Sequence, residues 1–215
     1  MFVYHRRAVV VHQGSLFGAG EATGPRPSAP SPERTPLVGG AWVDLFPGWM
    51  AGADALFDVL LGTVPWKSER RTMYDRVVDV PRLLAFYGKG EPLPAPALEQ
   101  ARLALVDHYR GDAGGRFCTA GLCLYRDGKD SVAYHGDSIG PGAGDAPLVA
   151  ILSLGAPRPL LLRPTGGGPS LRFRPGGGDL LVMGGSCQRT WEHSVPKVAR
   201  AGPRISVQYR PEGLR

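Results

Sequence analysis

Residues 122–137 read LCLYRDGKDSVAYHGD, and two features of this stretch decide the fold. The runs at 122–125 and 132–135 are short, apolar and separated by an Asp- and Gly-containing segment, which is the length and punctuation of strands joined by a turn. The second run ends in His135-Gly136-Asp137. In an extended chain, residues two apart leave the same face with Cα atoms roughly 6.5 Å apart, so one imidazole and one carboxylate can meet a single cation.

Toward the C-terminus the pattern repeats. Apolar runs at 149–154, 160–163, 171–173, 180–183 and 205–209 are each bounded by Gly, Pro, Asp or Ser, which predicts a β-sandwich or jelly roll rather than alternating βα units. Toward the N-terminus, 41–46 reads as a strand broken by Pro47 and Gly48, and 53–61 as a short helix with Leu56, Val59 and Leu60 in its stripe. A second helix is expected over 97–109, where Leu98, Ala101, Leu105 and Tyr109 share a face and Pro96 suits the first turn. Upstream, TGPRPSAPSPERTP (23–36) reads as linker and 8–11 as a possible strand.

Composition agrees. With 215 residues and 43% apolar content the chain can bury one substantial core, and 31 Gly with 21 Pro favour brief elements over long helices. The net charge of +6 draws the molecule toward polyanions, nucleic acid above all. Cys118, Cys123 and Cys187 are odd in number and lack zinc spacing, so no disulfide framework or structural zinc is expected and a reducing cytoplasm suits them. The opening MFVYHRRAVVVHQG is too short and too basic for a membrane span or a signal segment.

A third ligand for the His135–Asp137 pair must come from a distant strand, and TWEHSVPK (190–197) supplies His193. Two histidines and one carboxylate form the facial set that leaves three positions open on iron(II) for a bidentate cosubstrate and dioxygen, whereas zinc more often closes a tetrahedron. Standing alone, His-x-Asp also fits a surface turn, and His193 a hydrogen-bonded structural histidine. The strand RISVQYR (204–210) adds a second observation, with Arg204, Ser206, Gln208 and Arg210 on one face and Ile205, Val207 and Tyr209 on the other. Turned inward, the cationic face requires a partner, and a small dicarboxylate held by an arginine fork provides one. Turned outward, it is a solvated surface.

With these residues in place the chain resembles the AlkB-like nucleic-acid dealkylases, 2-oxoglutarate oxygenases built on a double-stranded β-helix. The resemblance runs from about 65 to 211 through PRLLAFYG (81–88), LYRDGKDSVAYHGD (124–137), ILSLGAPRPLLLRP (151–164), GDLLVMGGSCQRTWEHSVPK (178–197) and RISVQYR. It implies a mainly β fold with flanking helices: a jelly-roll, cupin-like double-stranded β-helix core with an N-terminal nucleotide-recognition lid. The corresponding division is an arm and linker over 1–36, an extension and lid over 37–96, and a catalytic core over 97–215.

The resemblance assigns Fe(II) to His135, Asp137 and His193, with 2-oxoglutarate and O2 as cosubstrates. It assigns the distal carboxylate of 2-oxoglutarate to Arg204, a supporting role near the metal to Arg210, and a hydroxyl contact to Tyr125. Cys123 and Ser206 belong to the same pocket but stand where relatives carry Asn. Ser138 and Ile139 follow Asp137 where relatives often have an acidic residue that holds the base. Asp179 is expected to be architectural, and Gly184 and Gly185 to serve a backbone turn. In PWKSERRTMYDRVVDVPRLLAFYG (65–88), Trp66, Tyr74 and Tyr87 are interleaved with Lys67, Arg70, Arg71, Arg76 and Arg82. By resemblance this is the lid, with Tyr87 as a wall of the base pocket; Arg158 and Arg163 are candidates for phosphates.

The implied activity is oxidative demethylation of N-alkylated bases such as 1-methyladenine and 3-methylcytosine in DNA or RNA, releasing formaldehyde, succinate and CO2. The implied partner is single-stranded or flipped-out alkylated nucleic acid, bound by a monomer with no membrane and no obligatory protein partner. The alternatives are a 2-oxoglutarate oxygenase acting on a protein or small molecule, and a nucleic-acid binder without turnover.

Overall fold

The computed structural model describes residues 22–26, 31–73, 76–112, 115–141 and 144–214, with side chains at 70–73 and 76–79 outside that description. The elements are β1 (Gly24–Pro25), β2 (Glu33–Pro36), β3 (Ala41–Phe46), β4 (Met50–Ala51), α1 (Ala53–Thr63), β5 (Lys67–Met73), β6 (Arg76–Tyr87), α2 (Pro96–His108), β7 (Thr119–Tyr125), β8 (Val132–His135), β9 (Val149–Gly155), β10 (Leu160–Pro164), β11 (Leu171–Phe173), β12 (Leu180–Gly185), α3 (Cys187–Thr190), β13 (Trp191–Val195) and β14 (Arg204–Arg210). Strands 41–46, 132–135 and 171–173 fall where the sequence puts them, and the other runs extend by one to three residues.

Every strand pairing among the described residues is antiparallel. An eight-stranded sheet runs β2-β3-β12-β9-β14-β7-β6-β5, and a four-stranded sheet runs β11-β10-β13-β8. The molecule is layered as helices, large sheet, small sheet. Between α1, α2 and the large sheet lies one apolar cluster, including Leu56, Leu60, Leu98, Leu105, Leu122, Leu124, Leu152, Ile205 and Val207. Between the sheets lies a second, including Val43, Tyr125, Ile151, Leu160, Leu162 and Val195. Strand β9 is buried at all seven positions because it is covered on both faces. Each of these fully buried aliphatic side chains contributes about 1.5–3 kcal/mol. This is the mainly β, jelly-roll architecture expected of the sequence.

The proline-rich stretch departs from its reading as linker. Gly24 and Pro25 pair with Ala51 and Met50, and β2 pairs with β3 along the large sheet's edge. What fixes β2 is a contact invisible locally: Arg34 donates two hydrogen bonds of 2.7 Å to the fully buried Asp44, which also accepts from Tyr109 Oη at 2.9 Å. The segment expected as a lid forms the β5–β6 hairpin, and β6 pairs with β7, so it continues the large sheet. The possible strand at 8–11 lies outside the described residues.

Asp179 is architectural, accepting hydrogen bonds from Gly48 N and Gly176 N, both at 2.7 Å. Gly185 adopts φ +63°, but Gly184 answers to a different demand: a Cβ there would sit 2.2 Å from the Trp42 ring. Trp42 lies flat across that strand, so Gly184 is a packing glycine rather than a turn glycine.

Candidate metal and cosubstrate pocket

The polar face of β14 points inward. Arg204, Ser206, Gln208 and Arg210 line a pocket between the sheets together with Tyr125, His135 and His193, while Ile205, Val207 and Tyr209 pack toward the helices. Strand register makes this one surface: Arg204 pairs with Tyr125, Ser206 with Cys123, and Gln208 with Gly121.

At one end, His193 and His135 are direct cross-strand partners with ring centroids 4.3 Å apart. His135 Nδ1 lies 2.9 Å from Ala133 O; a carbonyl can only accept, so Nδ1 donates there and Nε2 is the ring nitrogen left for a ligand. Burial pushes the His193 imidazole down to about 4, against the pull of Asp137, so it is a neutral lone-pair donor at physiological pH. Asp137 Oδ1 accepts from Arg210 Nε at 3.1 Å and Nη2 at 2.9 Å, while its Oδ2 is buried without a hydrogen-bond partner. Among the described residues no three His, Cys, Asp or Glu side chains stand together closely enough to hold a metal ion as they are placed. Two imidazoles and an orphaned carboxylate oxygen nevertheless match the donor types of a facial divalent site. A buried acceptor left bare is costly unless something fills its place.

The other end is cationic. Arg204 is 1% exposed, donates through Nε to Ser153 Oγ at 2.9 Å, and leaves Nη1 buried and unpartnered. It makes no ion pair among the described residues. Its guanidinium lies 5.4 Å from the centre of the Tyr125 ring, and burial raises the Tyr125 hydroxyl well above the ordinary phenol range, so that group stays a donor. A buried guanidinium without a carboxylate fits an anionic group of a small ligand. Ser153, absent from the sequence expectations, belongs here; its place on the central strand within ILSLG was the available signal.

Between the two ends, Gln208 occupies the middle of the wall. Its Nε2 donates to Ser206 Oγ at 2.6 Å and approaches Cys123 Sγ at 3.4 Å, and its Oε1 accepts from Arg210 Nη1 at 3.4 Å. The carboxamide that Cys123 and Ser206 both lack is thus present on the neighbouring residue of the same face. Strand parity of RISVQYR was the signal for it.

Several expected substrate residues lie elsewhere. Tyr87 packs against the helix-side cluster, because its partner on β7 is Ala120, which faces that cluster. It lines the far face of the sheet from the pocket, a correction to its role as a base-pocket wall. Trp66 also packs on the helix side. Tyr74 lies outside the described residues. Arg82 does line the pocket, donating to Ser131 O at 3.3 Å.

Arg163 sits across the small sheet from His193, bonded to Glu192 at 3.0 Å and stacked 3.8 Å from the Tyr134 ring, so its charge is already matched. Arg158 is 1% exposed and donates to three carbonyls, Asp127 O, Asp130 O and Pro196 O, at 2.7–2.9 Å. It ties loops together and cannot reach a phosphate. Arg158→Ala is expected to lower stability by about 3–5 kcal/mol, since three carbonyls and a cavity are left behind, measured by denaturant unfolding. Loss under about 1 kcal/mol would contradict this role. Ile139, following Asp137, bridges to Leu214 and packs in the inter-sheet cluster, so that position serves packing.

Comparison with known proteins agrees with this geometry. The profile of the "2OG-Fe(II) oxygenase superfamily" matches residues 45–210. The chain is 33% identical over 187 residues to a Bos taurus protein named "Alpha-ketoglutarate-dependent dioxygenase alkB homolog 3", an alignment spanning 78% of this chain and 65% of that protein's length. It is 32% identical over 126 residues to an Arabidopsis thaliana protein named "DNA oxidative demethylase ALKBH2", spanning 47% of this chain and 40% of the relative. A crystal structure of a 2OG-Fe(II) oxygenase family oxidoreductase from Burkholderia pseudomallei shares the fold, with TM-score 0.54, 20% identity, and coverage of 79% of this chain and 84% of that one. No helix among the described residues is long and apolar enough to cross a membrane. The inter-sheet pocket and the profile that spans it place the chain in one family: it belongs to the 2OG-Fe(II) oxygenase superfamily, whose cofactor set is iron(II), 2-oxoglutarate and dioxygen.

Proposed function

We propose that the chain oxidatively removes alkyl groups from the ring nitrogens of bases in single-stranded or flipped-out DNA or RNA, acting as a monomer. The observation that carries this reading is a pair of buried, unpartnered polar atoms: Asp137 Oδ2, on a carboxylate held by Arg210 of the pocket that His135 and His193 line, and Arg204 Nη1 in the wall of that same pocket. The first suits a cation and the second a carboxylate. The charge of +6 and the name of the Arabidopsis relative support nucleic acid as substrate.

Iron(II) with 2-oxoglutarate and dioxygen supplies a two-electron oxidation of a C–H bond, so that an N-methyl base, one O2 and one 2-oxoglutarate give the N–H base, formaldehyde, succinate and CO2. The chain's own residues have narrower duties. His135, His193 and Asp137 hold the metal, and Arg210 fixes the Asp137 carboxylate by two hydrogen bonds. Arg204, with Ser153 and Tyr125 beside it, takes the distal carboxylate. Val132, Ile151, Leu160 and Val195 supply the apolar part of the pocket wall. A pocket enclosed between two sheets is closed to a stacked base, which must therefore arrive unstacked.

Incubation with iron(II), 2-oxoglutarate and ascorbate is expected to demethylate single-stranded oligonucleotides carrying 1-methyladenine or 3-methylcytosine. Mass spectrometry follows the loss of one methyl group, and His135→Ala abolishes it. Steady succinate formation without any demethylation, in DNA or RNA, would move the substrate to a protein or small molecule.

A further inference from the structure

Strand β6 carries an aromatic ring on the pocket side of the large sheet that plays no part in either apolar cluster. Register places Leu84 opposite Cys123 and Phe86 opposite Gly121, while Leu83, Ala85 and Tyr87 oppose Leu124, Leu122 and Ala120. Cys123 lines the pocket, and Ala120, Leu122 and Leu124 belong to the helix-side cluster. Side chains alternate along a strand, so Arg82, Leu84 and Phe86 look toward the pocket and Tyr87 away from it. Phe86 is 60% exposed, the sole aromatic among the exposed large apolar side chains of the described residues.

A single exposed apolar residue is ordinary; the surroundings of this one are not. Its partner Gly121 has no side chain, and a Cβ there would lie 3.0 Å from Arg210 Nη1 and 3.3 Å from Gln208 Oε1. Those two polar groups therefore lie over Gly121, directly beside Phe86, and Arg210 in turn holds Asp137 at 2.9 Å. The ring borders the candidate metal end of the pocket. One strand farther out, Lys67 on β5 pairs with Leu84 and is exposed. It shares the pocket face and sits diagonal to Phe86, within about 7–8 Å along the sheet.

We propose that Phe86 is the stacking platform for the unstacked base, and that Lys67 takes a neighbouring backbone phosphate. The inference rests on the nucleic-acid reading above and assigns the base-facing surface of that site. A flat apolar ring next to a cation is the pairing that single-stranded nucleic acid uses, its base covering the ring while the phosphate meets the ammonium. Base–aromatic stacking changes affinity by about 5- to 150-fold on removal of the ring.

The test is fluorescence titration of the 215-residue chain with a single-stranded oligonucleotide carrying 2-aminopurine, whose emission is quenched on stacking. The unaltered protein is expected to quench, and Phe86→Ala to lose the quench and bind about tenfold or more weakly. Phe86→Trp restores both, and Tyr87→Leu changes neither; thermal unfolding establishes that each variant is folded. Unchanged quench and affinity in Phe86→Ala, or loss of quench in Tyr87→Leu instead, overturns the assignment alone. Failure of the unaltered chain to bind any oligonucleotide overturns the nucleic-acid reading with it.

Discussion

An Arg204→Met variant is expected to lose 2-oxoglutarate while gaining stability. Arg204 is 1% exposed, has one side-chain hydrogen bond, to Ser153, and leaves Nη1 bare. Burial pulls its guanidinium below the ordinary range, the sign of a charge held out of water without full compensation. Methionine has similar reach and no charge to desolvate. Replacing a buried ion by a hydrophobe is commonly neutral or stabilising by about 1–4 kcal/mol, which for a chain of this size moves the melting midpoint upward by a few degrees.

The same substitution removes the proposed anchor for the distal carboxylate. Truncating one partner of a buried charge pair costs about 2–5 kcal/mol of binding, or roughly 30- to 4000-fold in affinity. Thermal melts with and without 2-oxoglutarate separate the two effects. The unaltered protein is stabilised by the ligand, by about 2.7 kcal/mol at a hundredfold excess over Kd, and the variant is not. A lower midpoint combined with an undiminished response to 2-oxoglutarate would mean that Arg204 is structural and the carboxylate sits elsewhere. Residues that cost stability until a ligand arrives are what a binding pocket requires.

How much of this was legible in the sequence depended on whether a residue's surroundings are set locally. Period-two alternation turned Arg204, Ser206, Gln208 and Arg210 to one side of β14, because strand parity needs no knowledge of neighbours. The pairing of His135 with His193 follows from the antiparallel contact of β8 with β13, which two short punctuated runs allow but do not specify. Parity also decided against Tyr87: a side chain one residue away on the same strand looks to the opposite face, and only the register with β7 tells which of Phe86 and Tyr87 is inward.

Arginine was the least legible residue type. Arg34 stands in a stretch that reads as linker, and Arg158 and Arg163 read as candidates for phosphates. The fold gives the first to Asp44, the second to three loop carbonyls and the third to Glu192. Each partner is between 10 and 38 residues away in sequence, so no local pattern announces it. The carboxamide of Gln208 was visible, but its use was not. That depends on Cys123 lying diagonal to it across the strand pair, opposite Ser206, where its sulfur meets the Gln208 amide at 3.4 Å.

The largest effect is expected of Asp137→Asn. Asparagine keeps the volume and one carbonyl oxygen, so Arg210 retains an acceptor, and the fold loses only the difference between a charged and a neutral hydrogen bond, about 1–2 kcal/mol. The second carboxylate oxygen is a different matter. Oδ2 is buried with no hydrogen-bond partner, and the amide nitrogen that replaces it, with Oδ1 kept on Arg210, presents N–H groups where a cation needs a lone pair.

Iron affinity is therefore expected to fall by more than the 10- to 100-fold that loss of an outer-shell group costs, and 2-oxoglutarate turnover with it. Metal titration measures the first, succinate release the second, and denaturant unfolding of the metal-free protein the third quantity. Retention of a tenth or more of the turnover would exclude Asp137 from the metal. Loss of turnover with unchanged iron binding would make it a partner of Arg210 alone. The combination of a small stability loss and a large metal loss is specific to a carboxylate shared between two cations, one oxygen to Arg210 and the other to iron, and no purely structural aspartate produces it.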